Sequence, residues 1–285
     1  MPYLPDDLPK AHILITVKTY PLPSHWYGET VCTAGLLDGE KWVRIYPVSY
    51  RLLNDDQMYP KYAWIELDLI RNTSDFRPES YKPRKGIDEQ ITVLTKIGTA
   101  NAWAARKQYV LKEVFTSITD LTSLAKSETA KSLATFKPKE IVDFVIEDDE
   151  REWKQTWLNQ FKQTNLFDLD EKGRAKQREL VKKLPFQFKY RFLSDDDKIS
   201  FLTIQDWEIG GLFWNCLKNV DGDEEEAKRL VRQKYFDEFL KEKDIFLFLG
   251  TTYQYHRRRF PNPFVIIGVF YPPTTQQLSL FVPPI

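Results

Sequence analysis

Short apolar segments separated by turn residues dominate the first hundred positions of the chain. The segments with the length and composition of strands lie at 12–18, 30–37, 41–48, 62–71 and 90–97. Asp38-Gly39 stands between two of them and readily adopts the positive φ angles of a tight turn, so it predicts a hairpin. We therefore expect a β-rich, barrel-like region over residues 1–100.

Helix-like spacing replaces this pattern in the middle of the chain. Apolar residues recur at three- and four-residue intervals over 102–133, with few helix breakers, which is typical of helices. A strand is predicted at 139–146, followed by a helix at 150–164 and a basic stretch at 173–183. Region 101–184 is accordingly predicted to be mainly helical.

The last hundred residues mix both kinds of element. Strands are predicted at 186–193, 199–204, 245–250 and 264–270, and helices at 207–217 and 224–241. Asp206 and Asp223 precede the two helices and are suited to cap them. We expect residues 185–272 to form an α+β region packed on the first region, and 273–285 to form an extended tail.

Because strands and helices do not alternate regularly, the predicted fold class is α+β. The expected architecture has mixed sheets, a partly closed N-terminal β-barrel, and helices in the middle and C-terminal parts.

Composition narrows the possible functions of the 285-residue chain. Lys and Arg together number 41, as do Asp and Glu, so the formal net charge is zero. Indiscriminate nucleic-acid binding needs a large basic excess, so only a local basic face is compatible with this balance.

The two cysteines, Cys32 and Cys216, are too few for a disulfide framework. No leader and no apolar run of about 18 residues is evident, which predicts a cytoplasmic protein without a membrane partner.

The end of the chain carries the most specific motif. Between two Pro-Pro pairs lie Gln277, Leu278, Ser279, Leu280 and Phe281. This sequence looks like the bacterial sliding-clamp-binding pentapeptide, Gln-Leu-Ser/Asp-Leu-Phe, at all five positions. The resemblance implies that Gln277 hydrogen-bonds in one small pocket of the clamp, while Leu280 and Phe281 fill an adjacent apolar pocket. A few apolar anchors and one oriented amide suit a short peptide of roughly micromolar affinity.

Such a pattern arises by chance in about one chain in a thousand of this length. A position near a terminus makes the motif more telling, since terminal peptides are accessible to partners. The alternative interpretation is a last strand that packs Leu278 and Leu280 on the core. The two interpretations differ in the burial of Leu280 and Phe281.

Two basic segments are candidates for contact with nucleic acid. The candidate residues are Arg77, Lys82, Arg84 and Lys85 in one loop, and Tyr255, Arg257 and Arg258 in another. Arg and Lys suit backbone phosphates, and aromatic side chains among arginines suit single-stranded nucleic acid by base stacking. The alternative for both segments is a solvated, salt-bridged surface turn.

The candidates for a catalytic role are Lys18, Glu66, Asp68, Glu79, Asp206 and Glu208. Lys18 ends the first predicted strand, where it can reach a phosphate or simply point to water. Glu66 and Asp68 share one face of a strand, and paired carboxylates can hold a divalent metal. Asp206 and Glu208 are also explained as a helix cap and a first-turn acid.

No metal site and no cofactor is predicted for the chain. His12, His25 and His256 are spaced unlike any metal signature. P-loop, dinucleotide-binding and Gly-x-Ser-x-Gly motifs do not occur in the sequence. Mg²⁺ or Mn²⁺ enters only if the protein is a nuclease.

The body of the chain resembles a group of uncharacterised bacterial proteins. The likeness is carried by TVKTYP at 16–21, WVRIYP at 42–47, RPES at 77–80, DWE at 206–208 and FVIIGVF at 264–270, with the prolines that follow. It spans nearly the whole chain and implies no activity.

These observations favour a DNA-associated accessory protein that its tail recruits to the sliding clamp of the replicative polymerase, in DNA repair, replication or phage defence. Two alternatives remain open. A metal-dependent nuclease requires Glu66, Asp68, Glu79 and Lys18, or Asp206 and Glu208, to converge in one cleft. A pure interaction protein, such as a clamp inhibitor, requires no basic cleft.

Replacing both tail anchors, Leu280→Ala with Phe281→Ala, is expected to abolish capture by immobilised clamp, because the apolar pocket then stays empty. The unfolding midpoint should match that of the intact chain. As a control, Ser279→Asp keeps the pentapeptide pattern and should retain clamp binding. Full binding by the double variant, or a large loss of its stability, contradicts the clamp interpretation.

Overall fold

The computed structural model describes residues 4–24, 28–86, 89–159 and 180–274. Outside these ranges lie the predicted clamp-binding residues Gln277, Leu278, Ser279, Leu280 and Phe281, together with His25, the end of the helix predicted at 150–164 and most of the basic stretch at 173–183.

The first part of the chain is a closed five-stranded barrel. Its elements, with two accessory strands, are β1 (Asp7–Lys18), β2 (Leu22–Ser24), β3 (Gly28–Leu37), β4 (Lys41–Val48), β5 (Ala63–Arg71), β6 (Ser80–Pro83) and β7 (Thr92–Lys96). The ring runs β1-β3-β4-β6-β5 and closes through pairing of β5 with β1. Strands β2 and β7 extend it by pairing with β3 and β5. The expected barrel is thus confirmed, and it is fully closed.

Local sequence explains much of the barrel. The predicted hairpin joins β3 and β4, and Asp38 (φ 50°) and Gly39 (φ 72°) both adopt positive φ angles there. Strand β5 alternates buried and partly buried residues, as its sequence pattern predicts. The ring also depends on the short parallel pair formed by β4 and β6, which no local signal announces.

The middle of the chain departs from the helical prediction. It contains α1 (Ala100–Val110), β8 (Val114–Phe115), α2 (Ile118–Lys126), β9 (Leu133–Phe136) and β10 (Glu140–Asp148). The helical interpretation of 102–133 is therefore wrong where β8 interrupts it. Strand β8 contains only two residues and pairs in parallel with β9. Tertiary pairing overrides the local spacing pattern there.

The C-terminal part follows the prediction closely. Its elements are β11 (Phe186–Leu193), β12 (Ile199–Thr203), α3 (Trp207–Asn219), α4 (Glu224–Arg232), α5 (Phe239–Glu242), β13 (Phe246–Thr251), α6 (Tyr253–Arg257) and β14 (Phe264–Phe270), with a π-helical turn between α4 and α5. Asp206 and Asp223 cap α3 and α4 through their side chains, as predicted. Strands β10, β11 and β12 form one sheet, and β14, β13, β9 and β8 form another.

Apolar packing joins the barrel to the C-terminal part. One core lies inside the barrel and another lies among α3, α4 and the two C-terminal sheets. A third core lies between the two parts and contains Val17, Ala34, Leu36, Phe248, Ile267 and Phe270. The observed architecture is thus α+β, with mixed sheets and one apolar seam. Among the described residues, no helix has the length and apolar character needed to cross a membrane.

Two adjacent glycines of α3 allow a matched test of this packing. A Cβ atom at Gly210 would overlap the ring of Tyr20, whereas one at Gly211 would meet nothing within 4 Å. The Tyr20 hydroxyl donates to the Lys182 carbonyl (2.7 Å) and accepts from Trp214 Nε1 (2.8 Å), so the ring is pinned.

Gly210→Ala should therefore lower the free energy of unfolding by about 1–3 kcal/mol, because it overpacks a held ring. Gly211→Ala should be neutral or stabilising by up to about 1 kcal/mol, since alanine favours helices over glycine. Chemical denaturation measures the free energy of unfolding of both variants. Equal effects at the two positions would show that Tyr20 is not fixed against α3.

Candidate ligand pocket and nucleic-acid surface

A buried ion pair connects the barrel to the start of α3. Lys61 Nζ lies 2.8 and 2.7 Å from the two carboxylate oxygens of Asp206, and 3.1 Å from Glu208 Oε2. Asp206 is 0% exposed and Lys61 is 8% exposed. The Asp206 carboxylate also accepts from the backbone N–H groups of Glu208 and Val269. One carboxylate therefore joins a barrel loop, the first turn of α3 and strand β14.

The pKa values of both members of this pair are raised. Burial raises that of the Asp206 carboxyl, and the positive charge of Lys61 opposes this rise. Burial alone would lower the pKa of Lys61, but the negative charges of Asp206 and Glu208 outweigh burial and raise it. Removing one member of a buried pair typically costs roughly 3–5 kcal/mol, because the other charge is left uncompensated. Asp206 is therefore explained as a structural group, whereas Glu208, which is partly exposed, remains open to a ligand.

A pocket of about 310 Å³ opens beside this ion pair, between the barrel and the C-terminal part. Its cationic lining residues are Lys18, Lys61, Lys96 and Arg106. Its aromatic lining residues are Tyr62, Trp103, Trp207 and Tyr271, and its carboxylate is that of Glu208. A concave site with aromatic walls and a few polar groups is the usual form of a small-molecule site, and such sites favour domain interfaces.

Lys18 enters this pocket from the end of β1. Its ammonium donates to the Tyr50 hydroxyl and to the Tyr59 carbonyl, both at 3.1 Å, and lies 4.2 Å from the centroid of the Tyr50 ring. No carboxylate among the described residues pairs with it directly. Burial, followed by the positive charge of Lys61, lowers the pKa of Lys18 to about 8. Lys18 is thus a poorly compensated amine at a pocket wall.

Arg106 and Trp103 line the pocket from α1. The Arg106 guanidinium lies 4.0 Å from the centroid of Tyr62 and 4.9 Å from that of Trp103, and it donates through Nε and Nη2 to the Ile97 carbonyl. Trp103 has a φ angle of 64°, a left-handed conformation that a bulky residue rarely adopts. Strained backbone of this kind is concentrated at functional sites.

The other predicted acidic candidates do not reach this pocket. Glu66 lies on β5, opposite His12 of β1, and Asp68 accepts from the Lys10 backbone N–H. Glu79 accepts from the N–H and hydroxyl of Ser132. The structure therefore brings Lys18, Asp206 and Glu208 together, but not Glu66, Asp68 and Glu79. Within the described ranges, no three His, Cys, Asp or Glu side chains are grouped to hold a metal ion.

Arg77 takes part in a second polar connection between the barrel and the C-terminal part. Its Nη1 donates to the Thr251 carbonyl at 2.7 Å, and the side chain is buried. Arg44, which is also buried, donates to the hydroxyl of Ser132 and to the Thr251 carbonyl. Glu79 completes this Arg44–Arg77 network through Ser132. Because the network fixes the barrel to β9 and β13, Arg77 serves the interior of the protein and does not face nucleic acid.

The remaining basic residues of that loop lie on the barrel. Arg84 forms ion pairs with Asp7 and Asp68, next to β1 and β5. Lys82 is partly buried on β6, and the Lys85 backbone N–H donates to Glu89. Arg84 thus has the salt-bridged character of the alternative interpretation.

Exposed rings and arginines surround the short helix α6. Phe76, Tyr253, Tyr255 and Phe260 are each 36–47% exposed. Tyr255 and Phe260 stack at 4.6 Å, and Phe76 and Tyr253 form a second pair at 5.8 Å. Tyr253 and Tyr255 are two positions apart on α6, so the ring pairs flank the helix on different sides. We call these four residues, with Arg257, Arg258 and Arg259, the α6 surface.

The three arginines of the α6 surface are exposed. Arg257 Nη1 lies 3.5 Å from the Tyr253 hydroxyl, and no described carboxylate forms an ion pair with any of the three. His256 faces inward instead: it is buried and contacts the Ala125 carbonyl and the Thr251 hydroxyl. The α6 surface therefore combines unpaired positive charge with exposed aromatic area, while its helix is anchored from beneath.

Sequence reasoning missed most of the pocket. Lys61, Tyr62, Lys96, Trp103, Arg106 and Tyr271 come from separate segments that only the fold brings together. One local signal was available: Trp103 and Arg106, an aromatic residue and a cation, lie three positions apart in a segment predicted to be helical. Phe260, which lies between Arg259 and Pro261, was also missed.

Two family models match the chain. One, described as a domain of unknown function (DUF8758), matches residues 9–112. The other, described as a domain of unknown function (DUF8757), matches residues 114–285, which is more than half of the chain. The pocket lies across their boundary, because Lys18 and Arg106 belong to the first match and Trp207 and Glu208 to the second. No curated protein matches the chain.

Lys18 should titrate near pH 8, whereas an exposed lysine titrates near about 10.4. Glu208→Gln should move the midpoint lower still, because the negative charge of Glu208 favours the ammonium form. NMR of the reductively ¹³C-methylated protein, assigned with Lys18→Arg, measures this midpoint. Glu225→Gln, on the exposed face of α4, is the control and should leave it unchanged. A Lys18 midpoint above pH 10 contradicts this account of the pocket.

Proposed function

We propose the following function from the residues of this chain, which belongs to the family described as a domain of unknown function (DUF8757). It is a DNA-associated accessory protein of the bacterial cytoplasm, recruited to the sliding clamp by its C-terminal pentapeptide. Its folded body contacts single-stranded DNA through the α6 surface. Recruitment of this kind implies a setting in DNA repair, replication or phage defence.

The α6 surface is the observation that carries the proposal. Two pairs of exposed rings offer flat apolar faces, on which bases can stack without regard to sequence. Three arginines without carboxylate partners in the described part of the chain supply attraction for the phosphates between those bases. An exposed surface with both properties suits single strands better than duplex, because bases in a duplex are already stacked on each other.

The zero net charge fits a body that needs recruitment. Without a large basic excess, the protein gains little from long-range attraction to DNA. A clamp-bound tail would raise the effective concentration of the body near DNA to roughly the millimolar range, which compensates for weak binding.

The described anchor of the tail supports such a tether. Thr274 N–H donates to the Glu242 carbonyl at 3.2 Å, and Pro273 bridges to Lys243. Gln277 follows only three residues later in the sequence. Three residues span at most about 10 Å, so a bound pentapeptide would hold the body close to the clamp.

We expect the intact protein to bind a single-stranded oligonucleotide with hydroxyl groups at both ends, and Tyr255→Ala with Phe260→Ala to weaken this binding at least tenfold. The reason is the loss of one stacking pair, since each base–ring contact contributes about 1–3 kcal/mol. Arg257→Gln should reduce the salt dependence of binding, lowering the log–log slope by about 0.7. Fluorescence anisotropy at several salt concentrations measures both effects.

Phe201→Ala is the matched control, because Phe201 is an exposed ring (55%) on β12, far along the chain from α6. It should leave DNA affinity unchanged. Equal affinities of the α6 variant and the Phe201 variant contradict the assignment of this surface. Absence of DNA binding together with intact clamp capture would favour the pure interaction protein instead.

A further inference from the structure

The pocket beside the Lys61–Asp206 ion pair is separate from the α6 surface in its residues and its chemistry. We infer that it binds a nucleotide through a terminal phosphate monoester, with the phosphate at the cations and the base at the aromatic walls. The site accepts this moiety either as a free nucleoside monophosphate or as the phosphorylated end of a strand. This inference goes beyond the DNA contact proposed above and does not require it.

Charge balance is the first argument. Lys61 is compensated by Asp206, with which it makes two contacts. Glu208 also lies beside Lys61, at 3.1 Å, and is the second carboxylate for the four lining cations, which include Lys18, Lys96 and Arg106. Two positive charges thus have no carboxylate within the described lining. A phosphate monoester carries about 1.5 to 2 negative charges at neutral pH, whereas an internal phosphodiester carries about one, so the monoester matches better.

The positions of the donors are the second argument. Lys18 uses two neutral oxygens as acceptors, and these leave its charge uncompensated. The described hydrogen bonds of Arg106 use only Nε and Nη2, so Nη1 remains available as a donor. Arg and Lys donors from two different elements of one pocket suit the several acceptor oxygens of a phosphate.

The walls give the third argument. Trp103 packs against Tyr271 at 5.2 Å, and Trp207 packs against Tyr50 at 5.4 Å. Each pair joins a residue of the first family match to one of the second, and Trp103, Tyr271 and Trp207 line the pocket, where a planar base could stack. The volume of about 310 Å³ lies at the lower end of the ~300–1,000 Å³ of small-molecule sites, which suits one nucleotide and not two.

Protonation of Lys18 agrees with this assignment. The groups that act on it are Lys61, Glu208, Asp206 and Lys96, and burial lowers its pKa to about 8. At pH 8 the Lys18 side chain of the unliganded protein is therefore only partly protonated. A bound dianion favours the ammonium form, so binding at pH 8 should take up protons. Calorimetry in two buffers of different ionisation enthalpy detects this uptake.

The test is isothermal titration of the full chain with four probes: deoxyadenosine 5′-monophosphate, deoxyadenosine, a 5′-phosphorylated oligonucleotide and the same oligonucleotide with a 5′-hydroxyl. The monophosphate should bind at least tenfold more tightly than deoxyadenosine. The two phosphorylated probes are compared in the Tyr255→Ala/Phe260→Ala variant, in which the α6 surface contributes little. Preference for the phosphorylated oligonucleotide there identifies a strand end as the source, and preference for the monophosphate identifies a free nucleotide. Equal binding of monophosphate and nucleoside, or binding of neither phosphorylated probe, overturns the inference.

Variants test which residues form the site and whether an excess of positive charge drives binding. Lys18→Met and Arg106→Met should each weaken monophosphate binding at least tenfold, whereas Lys107→Met, the next residue on α1, should not change it. Glu208→Gln should tighten binding several-fold, because it removes the one carboxylate of the lining. This gain cannot arise from misfolding, so the inference stays testable even if Lys18→Met is unstable. Unchanged affinity in Glu208→Gln and Arg106→Met overturns it.

The outcome is independent of the proposed DNA contact. Tyr255→Ala with Phe260→Ala should leave monophosphate binding intact, since neither ring lines the pocket. Loss of binding to the hydroxyl-ended strand with retained monophosphate binding would therefore overturn the α6 surface and support the pocket.

Discussion

The fully buried carboxylate of Asp206 constrains the arrangement of the whole protein. A charge removed from water requires a partner, and Lys61 of the barrel provides it at 2.7 Å. The same carboxylate caps α3 and accepts from β14, so three elements are held at one point. Apolar packing along the seam between the two parts tolerates small shifts, whereas the ion pair and hydrogen bonds of Asp206 require fixed distances. The pocket exists because the ion pair fixes the barrel and α3 at its edge.

The 82 charged residues of this neutral chain are divided among different tasks. Arg44 and Arg77 are buried and hold the barrel to the strands of the second part. The pocket keeps cations whose charges are only partly compensated. The α6 surface exposes arginines to solvent. The identity of a charged residue therefore does not reveal its role, because burial and partners decide between fastening, ligand binding and contact with nucleic acid.

Much of the fold could be predicted because its signals are local. The Asp38-Gly39 turn, the caps at Asp206 and Asp223, and the β11–β12 hairpin depend on residues close together in sequence. The same local reasoning failed over 102–133, where β8 finds its partner in β9. It also assigned Arg77 to the surface. The side chain is in fact buried and donates to the Thr251 carbonyl, which lies 174 positions away and is invisible to local reasoning.

The sequence by itself determined the α+β class, four of the five barrel strands, the helix caps and the tail pentapeptide, since each follows from backbone preference, side-chain periodicity or a short motif. Only the tertiary structure decided that Lys18, Trp103, Arg106, Trp207 and Glu208 line one pocket. Their meeting depends on closure of the barrel and on the ion pair that fixes α3 against it. Such contacts arise from the balance of many long-range interactions, and no window of sequence contains that balance.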